Sequence, residues 1–257
     1  MVNGLNKFKE YFKDYKDNYI LIGGAACDRH IENAGLDFRA TKDLDIVLIV
    51  EAYSAEFVEK FWSFISEGQY VVQEKSSGKK IYYRFKEPTD NSFPWQLELF
   101  ARNPDIVIED KSHLIPIPLN EDVKSLSAIL LNDDYYNFTL AHSNFIDEIH
   151  LASISSLICL KAHAYLDLKV RYQQGEKIDG KDIRKHKNDI IRLTTILTNE
   201  EINDLPESIS QDLTELIQEF RNDPPDVAAI AKTLGLPNLN FEELLIQLKK
   251  VFHVYSK

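Results

Sequence analysis

Positive charge is what this chain is short of. It carries 30 Lys and Arg against 41 Asp and Glu, a formal net charge of −11 at pH 7. A broad, non-specific grip on nucleic acid relies on Lys and Arg neutralising phosphates, so only a local basic patch is left for such contact. Cysteine is scarcer still. Cys27 and Cys159 are the only two, too few for a disulfide scaffold and without the paired spacing of a zinc site, so both read as reduced thiols. No run approaches the ~18 consecutive apolar residues of a membrane-spanning helix. Residues 1–17 mix Lys, Glu and Asp with Phe and Tyr and hold no apolar signal core, so a cytoplasmic protein with no membrane partner is expected. Core-forming residues, by contrast, are plentiful. A length of 257 residues, 44% hydrophobic and 11% aromatic, suffices for one large domain or two modest ones.

Periodicity divides the chain. A short helix over 5–16 packs Phe8, Tyr11 and Phe12 at helical spacing, and Tyr19 to Ile22 reads as a buried strand ending at Gly23 and Gly24. A helix over 25–34, a strand over 44–50 and a helix near 54–66 follow. Strand-like runs at 69–74, 80–86 and 95–101 precede a Pro-bearing surface segment, His113 to Leu119. Ser125 to Leu131 and Tyr135 to Ala141 flank Asn132, Asp133 and Asp134, a pattern that predicts a hairpin. From about residue 147 strand signals give way to helices over 149–170, 180–198, 207–222, 226–234 and 241–253. The expected class is α+β: an α/β-like half over 1–146 with a mixed sheet flanked by helices, then a helical domain over 147–257.

Chemistry concentrates in four places. In the run from Thr41 to Val50, Asp43 and Asp45 lie one residue apart at the mouth of a strand and so point to one side of the sheet. They either end a strand with polar residues or hold a divalent metal. Gly23 and Gly24 stand where a buried strand turns into a helix, either as a tight turn or as a cradle whose amides and helix terminus meet a phosphate. In Trp95 to Phe100, Gln96, Glu98 and Phe100 share the face opposite Leu97 and Leu99, so Glu98 is either a solvated position or a third acid facing Asp43 and Asp45. Lys161 falls inside the apolar stripe Leu151, Ile154, Ile158, Tyr165 and Leu168. A buried lysine costs several kcal/mol unless an anion meets it, so Lys161 either snorkels to water or contacts an anion, with a phosphate expected.

The remaining charged groups have plainer readings. Asp182 and Asp189 are two helical turns, about 10 Å, apart and cannot share one metal ion. Asp182 suits a helix first turn, and a pairing with Lys185 at i−4 would by itself account for Asp189. The cluster Lys177, Lys181, Arg184, Lys185, Lys187 and Arg192 is either a solvated helix face or an RNA or nucleotide contact.

A Gly-Gly turn after an apolar strand, Thr-x-Asp-x-Asp opening the next and a later acid in a third strand resemble the nucleotidyltransferase superfamily. The 18 residues between Gly24 and Asp43, Lys161 on a helix and the Lys181-Asp182 pair opening a later one make the chain similar to the AbiEii/AbiGii-type toxin branch over residues 21 to about 195. The resemblance implies catalytic roles for Asp43, Asp45, Glu98, Lys161 and Asp182. It implies nucleotide contacts from Gly23, Gly24, Thr41, Lys42, Lys161 and Lys181, and metal ligation by Asp43, Asp45 and Glu98. Two Mg2+ ions, or Mn2+, are the cofactors it implies. The partners it implies are a nucleotide triphosphate, an acceptor RNA such as tRNA or a protein, and an antitoxin. The chain departs from the pattern in carrying Gly24, Ala25 and Ala26 where many members have a Ser after the first glycine, and Arg171 is only loosely placed to match the Arg that often accompanies the helical Lys.

The activity so implied is Mg-dependent transfer of a nucleoside monophosphate from a nucleotide triphosphate to an acceptor hydroxyl, in a toxin–antitoxin or phage-defence setting. Small-molecule nucleotidyl transfer of the antibiotic-modifying kind and a non-catalytic nucleotide-binding regulatory module are the alternatives.

Overall fold

The computed structural model describes residues 2–52, 54–74, 80–101 and 132–254. The expected surface segment at 113–119 and the first arm of the expected hairpin, 125–131, lie outside the described residues. The chain divides into two compact units. The first draws on Met1–Ala26, Ala40–Tyr136 and Ser143–Ala152, the second on Cys27–Arg39, Asn137–His142 and Ser153–Lys257.

Among the described residues, the first unit is built on a mixed sheet of seven strands: β1 Tyr19–Ile22, β2 Asp43–Leu48, β3 Val71–Glu74, β4 Lys80–Lys86, β5 Gln96–Phe100, β6 Ser143–Ile146 and β7 Ile149–Ala152, in the order β3-β4-β5-β2-β1-β7-β6. β1 runs antiparallel to β2 and parallel to β7, and β2 runs parallel to β5. Every residue of β1 and β5 is buried. Strands covered on both faces need apolar runs rather than alternation, and Tyr19-Ile20-Leu21-Ile22 is such a run. The helices α1 Leu5–Tyr11 and α3 Ala55–Glu67 contribute an aromatic cluster in which Phe64 lies 4.8 Å from Phe93, 5.3 Å from Phe12 and 5.8 Å from Phe8, and Phe8 meets Tyr19 edge-on at 5.1 Å. Such pairs add about 0.5–1.5 kcal/mol each beyond the area they bury. Ser54 caps α3 by accepting from the Phe57 amide.

Three local expectations are corrected. The first helix stops at Tyr11 and a 3-10 segment, Lys13–Asn18, replaces its second half, with Tyr15 at φ −124°. The second arm of the expected hairpin is a helix, α4 Asp133–Ala141. Asn132 accepts from the Asp134 amide at 2.9 Å, and Asp133 and Asp134 fill the first turn, where carboxylates complement the helix dipole. A polar triplet that resembled a turn is therefore a helix start. Residues 149–152, expected to open a long helix, form β7 and pair with β6 around a two-residue turn, Ile146 opposite Ile149. Asp147 and Glu148 both take left-handed φ, 48° and 66°, the conformation a tight primed hairpin turn demands.

The second unit is helical and contains the later part of α2 Gly23–Asn33 together with α5 Ile154–Gln173, α6 Gly180–Thr194, α7 Glu207–Asn222, α8 Val227–Leu234 and α9 Phe241–Phe252. Ser153 caps α5 and Asp179 caps α6. α5 is buried almost without interruption from Ser156 to Leu166 and packs against α6 and α7. α6 packs in turn on α8 and α9. Among the described residues no helix is long and apolar enough to cross a membrane.

Candidate functional site

Within the first unit, the strand register sets the acids side by side. Asp45 lies opposite Ile22 on β1 and opposite Glu98 on β5, and Asp43 lies opposite Gln96. Register partners share a face, so Asp43, Asp45, Gln96 and Glu98 form one polar patch across two parallel strands. Asp45 and Glu98 are buried, and Asp43 is partly exposed.

Gly23 closes this patch from the β1 side. Its φ is +65°, and a Cβ built on it would stand 1.7 Å from Asp45 Oδ2. Glycine is therefore required twice, by conformation and by the carboxylate pressed against its Cα. Gly24 is buried behind it, and the first turn of α2 carries no acidic residue. Amides and the positive end of a helix dipole thus lie beside a buried carboxylate, an arrangement suited to an anion bridged by a cation. Thr41 is partly exposed and Lys42 exposed, with the Lys42 ammonium 5.9 Å from the centroid of the Trp95 ring.

Oxygen donors of this kind suit Mg2+, which takes one or two carboxylates and completes its shell with water and phosphate. Glu98 is already engaged: Gln96 Nε2 donates to Glu98 Oε1 at 2.5 Å, and Arg84 Nε lies 2.7 Å from the same oxygen, close enough for charge pairing but not aligned as a donor. Among the described residues no group of three or more His, Cys, Asp and Glu side chains is gathered as a metal cage. Asp43 and Asp45 fit a metal carried in with phosphates. Glu98 fits as a third ligand only if it turns from Arg84.

Within the second unit, Lys161 is buried as its place in the apolar stripe requires, and its anion is Asp189. Lys161 Nζ donates to Asp189 Oδ2 at 3.0 Å. The same carboxylate accepts from Arg39 through Nε at 3.1 Å and Nη2 at 2.7 Å, and from Arg192 at 3.2 Å. Lys161, Arg39 and Arg192, rather than Lys185, are thus the partners of Asp189. Burial opposes ionisation of both groups, yet the mutual attraction outweighs it: the Lys161 pKa is raised, and that of Asp189 is held well below the usual carboxylate range. Burial pushes the Cys27 thiol up to about 11, despite the cations nearby, which keeps it protonated at neutral pH. Burial also pushes His186 down to about 3, and its Nδ1 is buried without a hydrogen-bond partner among the described residues.

Asp182 and Lys181 are both exposed at the start of α6 and are not part of this cluster. The residues missed by sequence reasoning are Arg39 and the Lys161 partnership of Asp189. One signal was available: Asp189 stands one helical turn before Leu193, at the i, i+4 spacing that shares a face, and so on the side that an amphipathic helix buries.

No protein-family model matches this chain, and no curated protein matches it significantly. A solved structure described as an antigenic nucleotidyltransferase-like protein from Paracoccidioides brasiliensis aligns over 91% of this chain and 96% of its own, with a TM-score of 0.43 and 17% identity. That likeness is too loose to carry an argument.

Proposed function

We propose that the protein is a Mg-dependent nucleotidyltransferase that moves a nucleoside monophosphate from a nucleotide triphosphate to an acceptor hydroxyl on RNA, such as tRNA, or on a protein, the new bond from the acceptor oxygen to the α-phosphorus forming as the α–β phosphoanhydride bond breaks and pyrophosphate leaves. The observation that carries this reading is the Gly23 turn against Asp45, with Glu98 in register beside it. A phosphate-binding turn and a carboxylate pair at one end of a sheet are what a metal-bound triphosphate needs.

The amides after Gly23 hold the phosphates, and the buried Asp45 orients the charged end of the substrate against them. Asp43, nearer solvent, faces the incoming acceptor. Asp43 and Asp45 would hold Mg2+, which when bound would neutralise charge on the phosphoryl oxygens and lower the pKa of the acceptor hydroxyl. Glu98 receives the acceptor's proton once its contact with Arg84 is released. Lys161 is satisfied by Asp189 and Asp182 is exposed, so neither is given a chemical step. The resemblance to the AbiEii/AbiGii-type branch supports a toxin paired with an antitoxin as the biological setting.

The test is nucleotide turnover with Mg2+ and labelled triphosphates in the presence of total RNA or lysate. Asp43→Asn and Asp45→Asn are expected to lower turnover at least about 100-fold, the scale of losing several kcal/mol of metal charge stabilisation. Equal turnover in wild type and both variants refutes the reading. Expression in a bacterial host tests the setting, since growth arrest must depend on the same two aspartates. A second reading, a nucleotide-binding module without catalysis, draws on the engagement of Glu98 by Arg84 and Gln96. It predicts calorimetric nucleotide binding with no label transferred.

A further inference from the structure

Two basic side chains of β4 flank a buried aromatic one. Phe85 packs on α3, its ring 5.9 Å from that of Phe61 and 5.8 Å from that of Trp62, so Arg84 and Lys86 stand on the other face of the sheet. That is the face of the acids. Arg84 pairs in register with Glu98, and Lys86 with Gln96. One row therefore runs from Gly23 at the end of β1, through Asp43 and Asp45 on β2 and Gln96 and Glu98 on β5, to two cations on β4. Its outer end is open, because Val71, in register with Lys86 on β3, is 55% exposed.

Neither cation is fully engaged within the fold. Lys86 is partly exposed and has no ion pair among the described residues. Arg84 keeps a side chain 27% exposed, and its Nε, though 2.7 Å from Glu98 Oε1, is buried without an aligned hydrogen-bond acceptor among the described residues. A guanidinium presents a planar fork of donors that two oxygens of one phosphate satisfy together, which a single off-axis carboxylate oxygen does not. The two cations are two residues apart along one strand, about 7 Å, and one strand spacing, about 5 Å, beyond Glu98. They lie across the acids from Gly23, so a second anionic substrate fits beside the triphosphate without competing for its contacts. Two cations in line match charge that repeats along a chain.

Resting on the nucleotidyltransferase reading above, we infer that Arg84 and Lys86 seat the phosphodiester backbone of an RNA acceptor, whose terminal hydroxyl then reaches the acids from the β4 side. A protein acceptor brings no such repeating charge. Contacts of this kind fix where the strand lies and carry no choice of sequence. A phosphate taken by Arg84 also draws the guanidinium from Glu98, the release on which proton transfer depends.

The test uses the full chain and a fluorescein-labelled single-stranded RNA oligomer with a free 3′ hydroxyl, followed by anisotropy over a range of KCl concentrations. Arg84→Gln combined with Lys86→Gln is expected to reduce the slope of log affinity against log salt by about 1.4, at ~0.7 per phosphate contact. Lys232→Gln combined with Lys250→Gln removes the same charge from exposed positions in the second unit and leaves the slope unchanged. In turnover, Lys86→Gln alone, which keeps the Arg84 contact to Glu98, raises the KM for RNA about ten-fold, the loss of one charge-assisted hydrogen bond, and leaves the KM for the nucleotide triphosphate as in wild type. An unchanged slope in the β4 double variant, an equal change in the control, an unchanged KM for RNA in Lys86→Gln, or label passing to protein with no RNA bound overturns the seat and leaves the proposed function standing. No nucleotide turnover with Mg2+ overturns both.

Discussion

Asp189→Asn isolates the charge at the centre of the second unit while keeping the side chain's size. Asp189 is wholly buried, and it neutralises a lysine whose side chain is only 6% exposed. Arg39 and Arg192, with side chains 24% and 12% exposed, have more access to water, so the charge stranded by the substitution is that of Lys161. Removing one partner of a buried ion pair costs about 3–5 kcal/mol. The cost has a ceiling, because Lys161 can shed its proton: from an ordinary pKa near 10.5 to pH 7 is ~3.5 units, or about 5 kcal/mol. The pH dependence follows. In wild type the depressed Asp189 pKa stabilises the fold above the unfolded value near 4 and that stability is lost as pH falls, whereas the raised Lys161 pKa contributes below about 10.5 and is lost as pH rises through its folded value. In the variant a stranded Lys161 binds its proton less well folded than unfolded, so stability rises with pH from 7 to 9. Urea melts followed by circular dichroism at pH 7 and pH 9 measure this, with Lys161→Met/Asp189→Leu as the control that removes the pair together and recovers most of the loss. A variant within about 1 kcal/mol of wild type at pH 7, or one with no gain at pH 9, refutes the reasoning.

Gly23→Ala places a methyl group into the Asp45 carboxylate and forces a left-handed φ on a residue that resists it. The backbone term alone costs about 1–2 kcal/mol, so both the melting temperature and nucleotide turnover must fall, and a variant normal in both assays shows that the turn is not rigidly set. His186, held near 3, is neutral in the folded protein and binds its proton only on unfolding. Stability therefore declines as pH drops below the unfolded value near 6.5. His186→Phe reduces the slope of urea midpoint against pH between 6.5 and 4.5, and an unchanged slope means the folded protein protonates His186 freely.

What was legible in the sequence is what local chemistry fixes. The run Tyr19 to Ile22 reads as a buried strand, and Glu207 to Asn222 shows a full amphipathic period, so both elements lie where the sequence pattern placed them. Residues 149–152 were misread because Ile149 and Leu151 also fit the helical stripe that continues into α5, and the turn before them uses Asp and Glu instead of the glycine that usually marks left-handed φ. The site divided along the same line. Alternation put Glu98 on the face of Asp43 and Asp45, and the register bears that out, because a period of two permits only two answers. The need of Lys161 for an anion was equally legible, but not which anion. Arg39 and Asp189 are 150 residues apart and meet only through the tertiary fold. A stripe can show that a buried charge must be neutralised, since that cost is local. The identity of the neutralising group depends on which helices pack together, and in this chain the answer is an internal carboxylate that already fills the place a phosphate was expected to take.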